Sequence, residues 1–235
     1  MPVGNGGIIG PCNPPSLMAT RGVWRLAEAQ VAVEAGMWPR TMFAPGSAGE
    51  DQADLAQYTF SSAAYGGPAM ASRIVVASVV TFSSALTLTS VTIGGVSATI
   101  LGPASGDNAR TWIVYASVPS GTSGTIVVQF SGTAPNCYYG CWSLYPETAA
   151  PVSSSFPTGG PATSRSVTLD IPEGAIAILG AGRVGAGGGW TNAIENPMGP
   201  SSGSQYAYRG PLAAGETGTV ITNSNTRTIC GAVWL

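Results

Sequence analysis

The chain has 235 residues, 44% of them hydrophobic and 9% charged, with a net charge of −2; ordinary globular chains carry about 25% charged residues. All nine basic residues are arginine. That excludes a P-loop lysine, leaves no basic patch for phosphate neutralisation, and argues against a nucleic-acid partner. Histidine is absent, so the usual general base near neutral pH and the commonest metal ligand are missing, and no Ser-His-Asp or Cys-His site can be built within the chain.

Residues 1–21 open with "MPVGNGGIIGPCNPPS", rich in Gly and Pro. Without a basic n-region or a long apolar core this is not a secretory signal; it is expected to be an extended arm, held by something else if ordered. Cys12 sits in that arm and is the candidate for an interchain disulfide. "GVWRLAEAQVAVEAGMWPR" follows, and its spacing predicts a helix from about Val23 to Ala35, with Gly36 as C′ residue and Pro39 as the stop. At 100° per residue, Trp24, Ala27, Val31 and Ala35 line one side, while Leu26, Ala29 and Val33 line nearly the opposite one. Two apolar stripes predict a helix between neighbours, where a surface helix has one. A helix clamped between its own domain and its own arm would show the same pattern. The expected assembly anchors are Trp24, Leu26, Ala27, Val31, Val33, Trp38 and Pro39.

"TMFAPGSAGEDQADLAQ", residues 41–57, reads as a linker with a helical turn near Asp54. The domain division expected is therefore 1–56 for arm, helix and linker, and 57–235 for a β domain. Glu50, Asp51 and Asp54 lack EF-hand spacing and read as a solvated loop. From Tyr58 the pattern turns to strands. "RIVVASVVTF" is a continuous apolar run, as a fully buried strand requires. "SVTIGGVSATIL" carries a Gly94-Gly95 hairpin signal, because both glycines accept positive φ. "RTWIVYASVP", "GTIVVQFSG" and "YYGCWSLYP" follow. "SVTLDIP" alternates, placing Val167, Leu169 and Ile171 inward. "AIAILGAG", "QYAYRG", "GTVITN" and "TICGAVWL" complete the set. Short strands with turn signals between them predict an all-β, antiparallel, jelly-roll-like β-sandwich behind the arm and helix. The Pro/Ser/Thr/Gly-rich stretch 146–164 is either a domain linker or a long loop within one sandwich; the loop is preferred, because either half has few strands for a core.

Chemical motifs are sparse. "GAGRVG" matches G-x-G-x-x-G at Gly180, Gly182 and Gly185, but "AGGGWTN" after it cannot open the helix a dinucleotide site needs, so a Gly-rich loop is expected. Asp107, Asp170, Glu173 and Glu195 could supply a glycosidase acid pair, yet nothing brings two together. No G-x-S-x-G elbow appears, and no run long enough to span a membrane. No enzymatic activity, cofactor or metal is expected. Cys137 and Cys141 would lie roughly 13 Å apart on one straight strand, too far for a disulfide unless the chain bends at Gly140; Cys141 and Cys230 read as small buried hydrophobes. Trp112, Trp142 and Trp234 are expected in the core. Trp190, Tyr206 and Tyr208, beside Gly-rich loops, are the candidate glycan contacts.

"GIIGP.N.PS" with "GVW.L.E......AG.WP", spanning Gly7 to Pro39, resembles the N-terminal segment of bacteriophage virion proteins, especially fibre-like and minor structural proteins. "VTIGGVSATIL", "RTWIVYASVPSGTSGTIVVQFSG" and "GCWSLY" resemble a β-sandwich that recurs in them. The resemblance implies a non-enzymatic component of a phage particle, made in the host cytoplasm and located in the virion. Its N-terminal part would attach or oligomerise, with other copies and other virion proteins as partners, and the sandwich would be displayed on a tail, collar or neck fibre or spike. A capsid decoration or adaptor protein, and a carbohydrate-binding module for a host surface glycan, are the alternatives.

Overall fold

The computed structural model describes residues 41–159, 164–183, 189–196, 203–212 and 214–235. The predicted helix, Cys12 and the anchors Trp24, Leu26, Ala27, Val31, Val33, Trp38 and Pro39 lie outside them. Within them the chain is all-β. The strands are β1 (Met42–Asp51), β2 (Leu55–Ala64), β3 (Ile74–Thr81), β4 (Leu88–Ile93), β5 (Val96–Ser97), β6 (Thr99–Gly106), β7 (Ala109–Ser117), β8 (Ser123–Ala134), β9 (Cys137–Tyr145), β10 (Ser153–Ser155), β11 (Ser164–Ile171), β12 (Ile176–Arg183), β13 (Trp190–Thr191), β14 (Ile194–Glu195), β15 (Ser204–Arg209), β16 (Glu216–Ser224) and β17 (Thr226–Trp234). All pairings between them are antiparallel. No helix of the described residues is long and apolar enough to cross a membrane.

Four sheets result: β1-β9-β3-β7-β6 and β2-β8-β4-β5 from the strands before Tyr145, β10-β17-β12-β15-β14 and β11-β16-β13 from those after it. The two five-stranded sheets are the inner layers. Val79 and Trp112 of the first meet Val128 and Phe130 of its outer partner. Leu179 and Ile229 of the second meet Leu169 and Ile221 of its own. Between the inner sheets Val76, Trp142 and Leu144 pack on Ile178, Ala232 and Trp234. This stacking explains the continuous apolar runs. β3, β9 and β12 are buried at every position because their sheets have an apolar layer on both faces.

The two halves repeat one strand order. β1-β9-β3-β7 corresponds to β10-β17-β12-β15, and β2-β8-β4 to β11-β16-β13. The registers agree as well: Val76 pairs with Tyr115 and Trp142, and Ile178 with Tyr208 and Ala232. Across the middle β3 touches β12, β7 touches β17 and β9 touches β15, as a twofold-like arrangement of the halves requires.

The linker expected over 41–57 is instead β1 and the start of β2. Pro45 and Gly46 disguise β1, but they fall at a bulge between Pro45 and Ala48 on an edge strand, where a missing N–H is tolerated. No helical turn forms near Asp54; Asp51 Oδ1 accepts from Ala53 N (2.9 Å) and turns the chain into β2. No sheet of the described residues mixes strands from the two sides of 146–152, so the strands fall into two sheet pairs where one was expected. The objection that either half has too few strands fails, because the inner sheets lend each other a second apolar face. The Gly94-Gly95 hairpin forms with φ of 60° and 80°.

Candidate functional site

Most groups capable of chemistry are spent on structure. Cys137, Cys141 and Cys230 are buried free thiols. Burial pushes the Cys141 thiol up to about 11 and raises those of Cys137 and Cys230 as well, so these thiols are poor nucleophiles. Arg73 is fully buried beneath the Tyr65 ring, 5.4 Å from its centroid. It donates to the carbonyls of Val118 (2.7 Å), Gly67 (3.2 Å), Ser120 (2.8 Å) and Gly121 (2.7 Å). Glu216 pairs with Arg209, which holds its carboxyl below the ordinary range. Asp170 accepts from Gly218 N at 2.7 Å. Among the described residues no three His, Cys, Asp or Glu side chains gather to hold a metal. Gly180 and Gly182 are not a loop. They lie in β12 against Ser78, Thr111 and Thr228, where the inner sheets meet, and Thr111 Oγ1 bonds Thr228 Oγ1 across that gap at 2.6 Å.

The three aromatic candidates do not share a platform. In β15, Tyr206 and Tyr208 point between the inner sheets, while Ala207 points to the opposite face. Tyr206 is buried, its hydroxyl accepts from Ser204 Oγ at 2.7 Å, and its ring meets Trp142 edge-on at 6.0 Å. It has no free face for a sugar. Tyr208 leans on Phe43 at 4.6 Å. Trp190 stands alone on the other side of the second inner sheet, half-buried at the edge of the core it shares with Ala207.

Beside Trp190 lies a polar group that the aromatic count misses. Trp190 pairs with Asn223 across β13 and β16. With the Asn223 amide oriented by its neighbours, Trp190 Nε1 donates to Asn223 Oδ1 (3.2 Å) and Asn223 Nδ2 donates to Gln205 Oε1 (3.2 Å). Gln205 Nε2 then donates to Glu195 Oε1 (3.0 Å). Gln205 and Asn223 are buried, and Glu195 is exposed on the short edge strand β14. Asn223 Nδ2 also donates to Ser224 O (2.8 Å), so the two buried amides join the indole to the carboxylate within a network anchored on the β16 backbone. A sequence signal exists for one of the two amides: in "TVITN", Asn223 follows Ile221 at an inward position between exposed or half-buried neighbours, whereas Gln205 lies in a strand buried on both faces from Ser204 to Ala207 and carries no such mark.

No protein-family model, curated protein or solved structure matches the chain.

Proposed function

We propose that the chain is a non-enzymatic structural component of a phage particle, oligomerised or anchored through residues 1–40, with residues 41–235 as the displayed body. In this reading each sheet pair is a jelly-roll sandwich and the two are fused back to back. The observation that carries it is the four-layer core. Three apolar interlayers run through the body, and thiols and Arg73 serve packing or backbone clamping. Such a body suits display more than turnover. The two-striped segment Val23–Ala35 supplies the attachment element.

All six arginines of the described body are buried or half-buried, whereas Glu50, Asp54, Asp107, Glu147, Asp170 and Glu195 are exposed. A surface whose exposed charges are carboxylates repels phosphate backbones and supports protein partners. A capsid decoration or adaptor role uses the same body with a different host surface. The test is incorporation: particles assembled with the Trp24→Ala chain should lack the protein, whereas incorporation at the unsubstituted level would overturn the reading.

A further inference from the structure

We infer that the Trp190–Asn223–Gln205–Glu195 relay is a binding site for a neutral saccharide. The repeat of the fold carries the argument. Val79 pairs with Trp112 as Ala181 pairs with Gln205, so Gln205 occupies the position of Trp112. Leu88, the first residue of β4, pairs with Phe130, as Trp190, the first residue of the corresponding β13, pairs with Asn223, so Asn223 occupies the position of Phe130. In the first half these positions hold two aromatic rings 5.9 Å apart, closing the interlayer with apolar surface. In the second half the same positions hold two buried amides. The fold does not require them, and burying an amide costs about 1–3 kcal/mol when its partners fail. Departures of this kind from the local rules gather at functional sites.

The chemistry of the set narrows the ligand. The half-buried indole of Trp190 offers apolar surface to the C–H face of a sugar ring, on the same face of the sheet as Glu195. Glu195 accepts from hydroxyls, and Gln205 fixes its rotamer from behind. A single carboxylate disfavours phosphorylated or carboxylated ligands. Trp190 and Glu195 would touch the sugar; Gln205 and Asn223 are positioning residues. The site uses none of residues 1–40, so it and the virion reading can fail separately.

The experiment is a titration of the full chain with glucose, galactose, mannose, rhamnose and N-acetylglucosamine, followed by amide and indole ¹H–¹⁵N spectra. Expected is a saturable shift of the Trp190 indole N–H and the Gln205 and Asn223 side-chain amides with at least one sugar. Affinity should weaken by about tenfold or more in Glu195→Ala, the loss of one charge-assisted hydrogen bond, with partial recovery in Glu195→Gln. Glu195 sits at an exposed edge, so these variants keep the fold even if Trp190→Ala does not. No saturable shift with any sugar, or a shift of equal affinity in Glu195→Ala, would overturn the proposal; a purely structural relay would change stability without any sugar-dependent signal.

Discussion

Arg73 shows how a charge survives inside this body. It has four backbone carbonyls and an aromatic ring around it, and its planar fork matches carbonyls that approach from several directions. Arg73→Met should cost about 3 kcal/mol or more, because the carbonyls of residues 67, 118, 120 and 121 lose their donor; Arg73→Lys should recover part of it. Urea denaturation measures both. Gly180 makes a steric demand of a different kind. A Cβ there would fall inside the radius of Ser78 Oγ, a buried hydroxyl with no hydrogen-bond partner. Gly180→Ala should destabilise by about 2 kcal/mol, and Ser78→Gly should recover much of that in a double-mutant cycle. If the two losses simply add, the inner sheets are not in contact at that point. The thiols give a pH dependence. Below the unfolded-state value of 9 both states of Cys141 are protonated and its contribution is intact. As pH rises the unfolded state ionises first, so stability falls until the folded thiol titrates at about 11, by about 3 kcal/mol in all. Cys141→Ala should flatten that share of the alkaline loss in denaturation curves taken on either side of about pH 9.

At the scale of elements, the legible strands are those whose environment matches a simple pattern. β3 is an unbroken apolar run because both faces are covered, and β11 alternates because one face is wet. The Gly94-Gly95 turn was equally plain. β1 was not, since its Pro45 and Gly46 mark a bulge that looks like a linker until β9 is seen beside it. Sheet count was illegible for a related reason: apolar runs reveal burial but not which sheet supplies the cover. Of the candidate site, Trp190 was legible as an aromatic by a Gly-rich loop. Tyr206 and Tyr208 misled because their alternation places them on the opposite face from Gln205, and that face is covered by the first half. The edges show a common restraint. β5, β10, β13 and β14 have two or three residues each, and β1, β2 and β6 carry register breaks. Short or bulged edges discourage strand-to-strand association. A chain beginning at Gln57 would lose β1 and leave β9 paired on one side only, with β3. It should aggregate or lose its β circular dichroism, whereas one beginning at Thr41 should keep it.

Over the whole molecule, two halves of one topology share an apolar interlayer in which Trp142, Leu144 and Trp234 take part. Such a face resembles a closed subunit interface folded into one chain. The body has thereby used its inner faces on itself, and in the proposed reading it is the two-striped segment ahead of β1 that binds copies. The most direct measurement is molar mass by light scattering, for the full chain beside the chain beginning at Thr41, with circular dichroism confirming that both are folded. A defined oligomer for the first and a monomer for the second is the result the account predicts. A full chain that is monomeric, or a shortened chain that keeps the oligomer, would contradict assembly through residues 1–40.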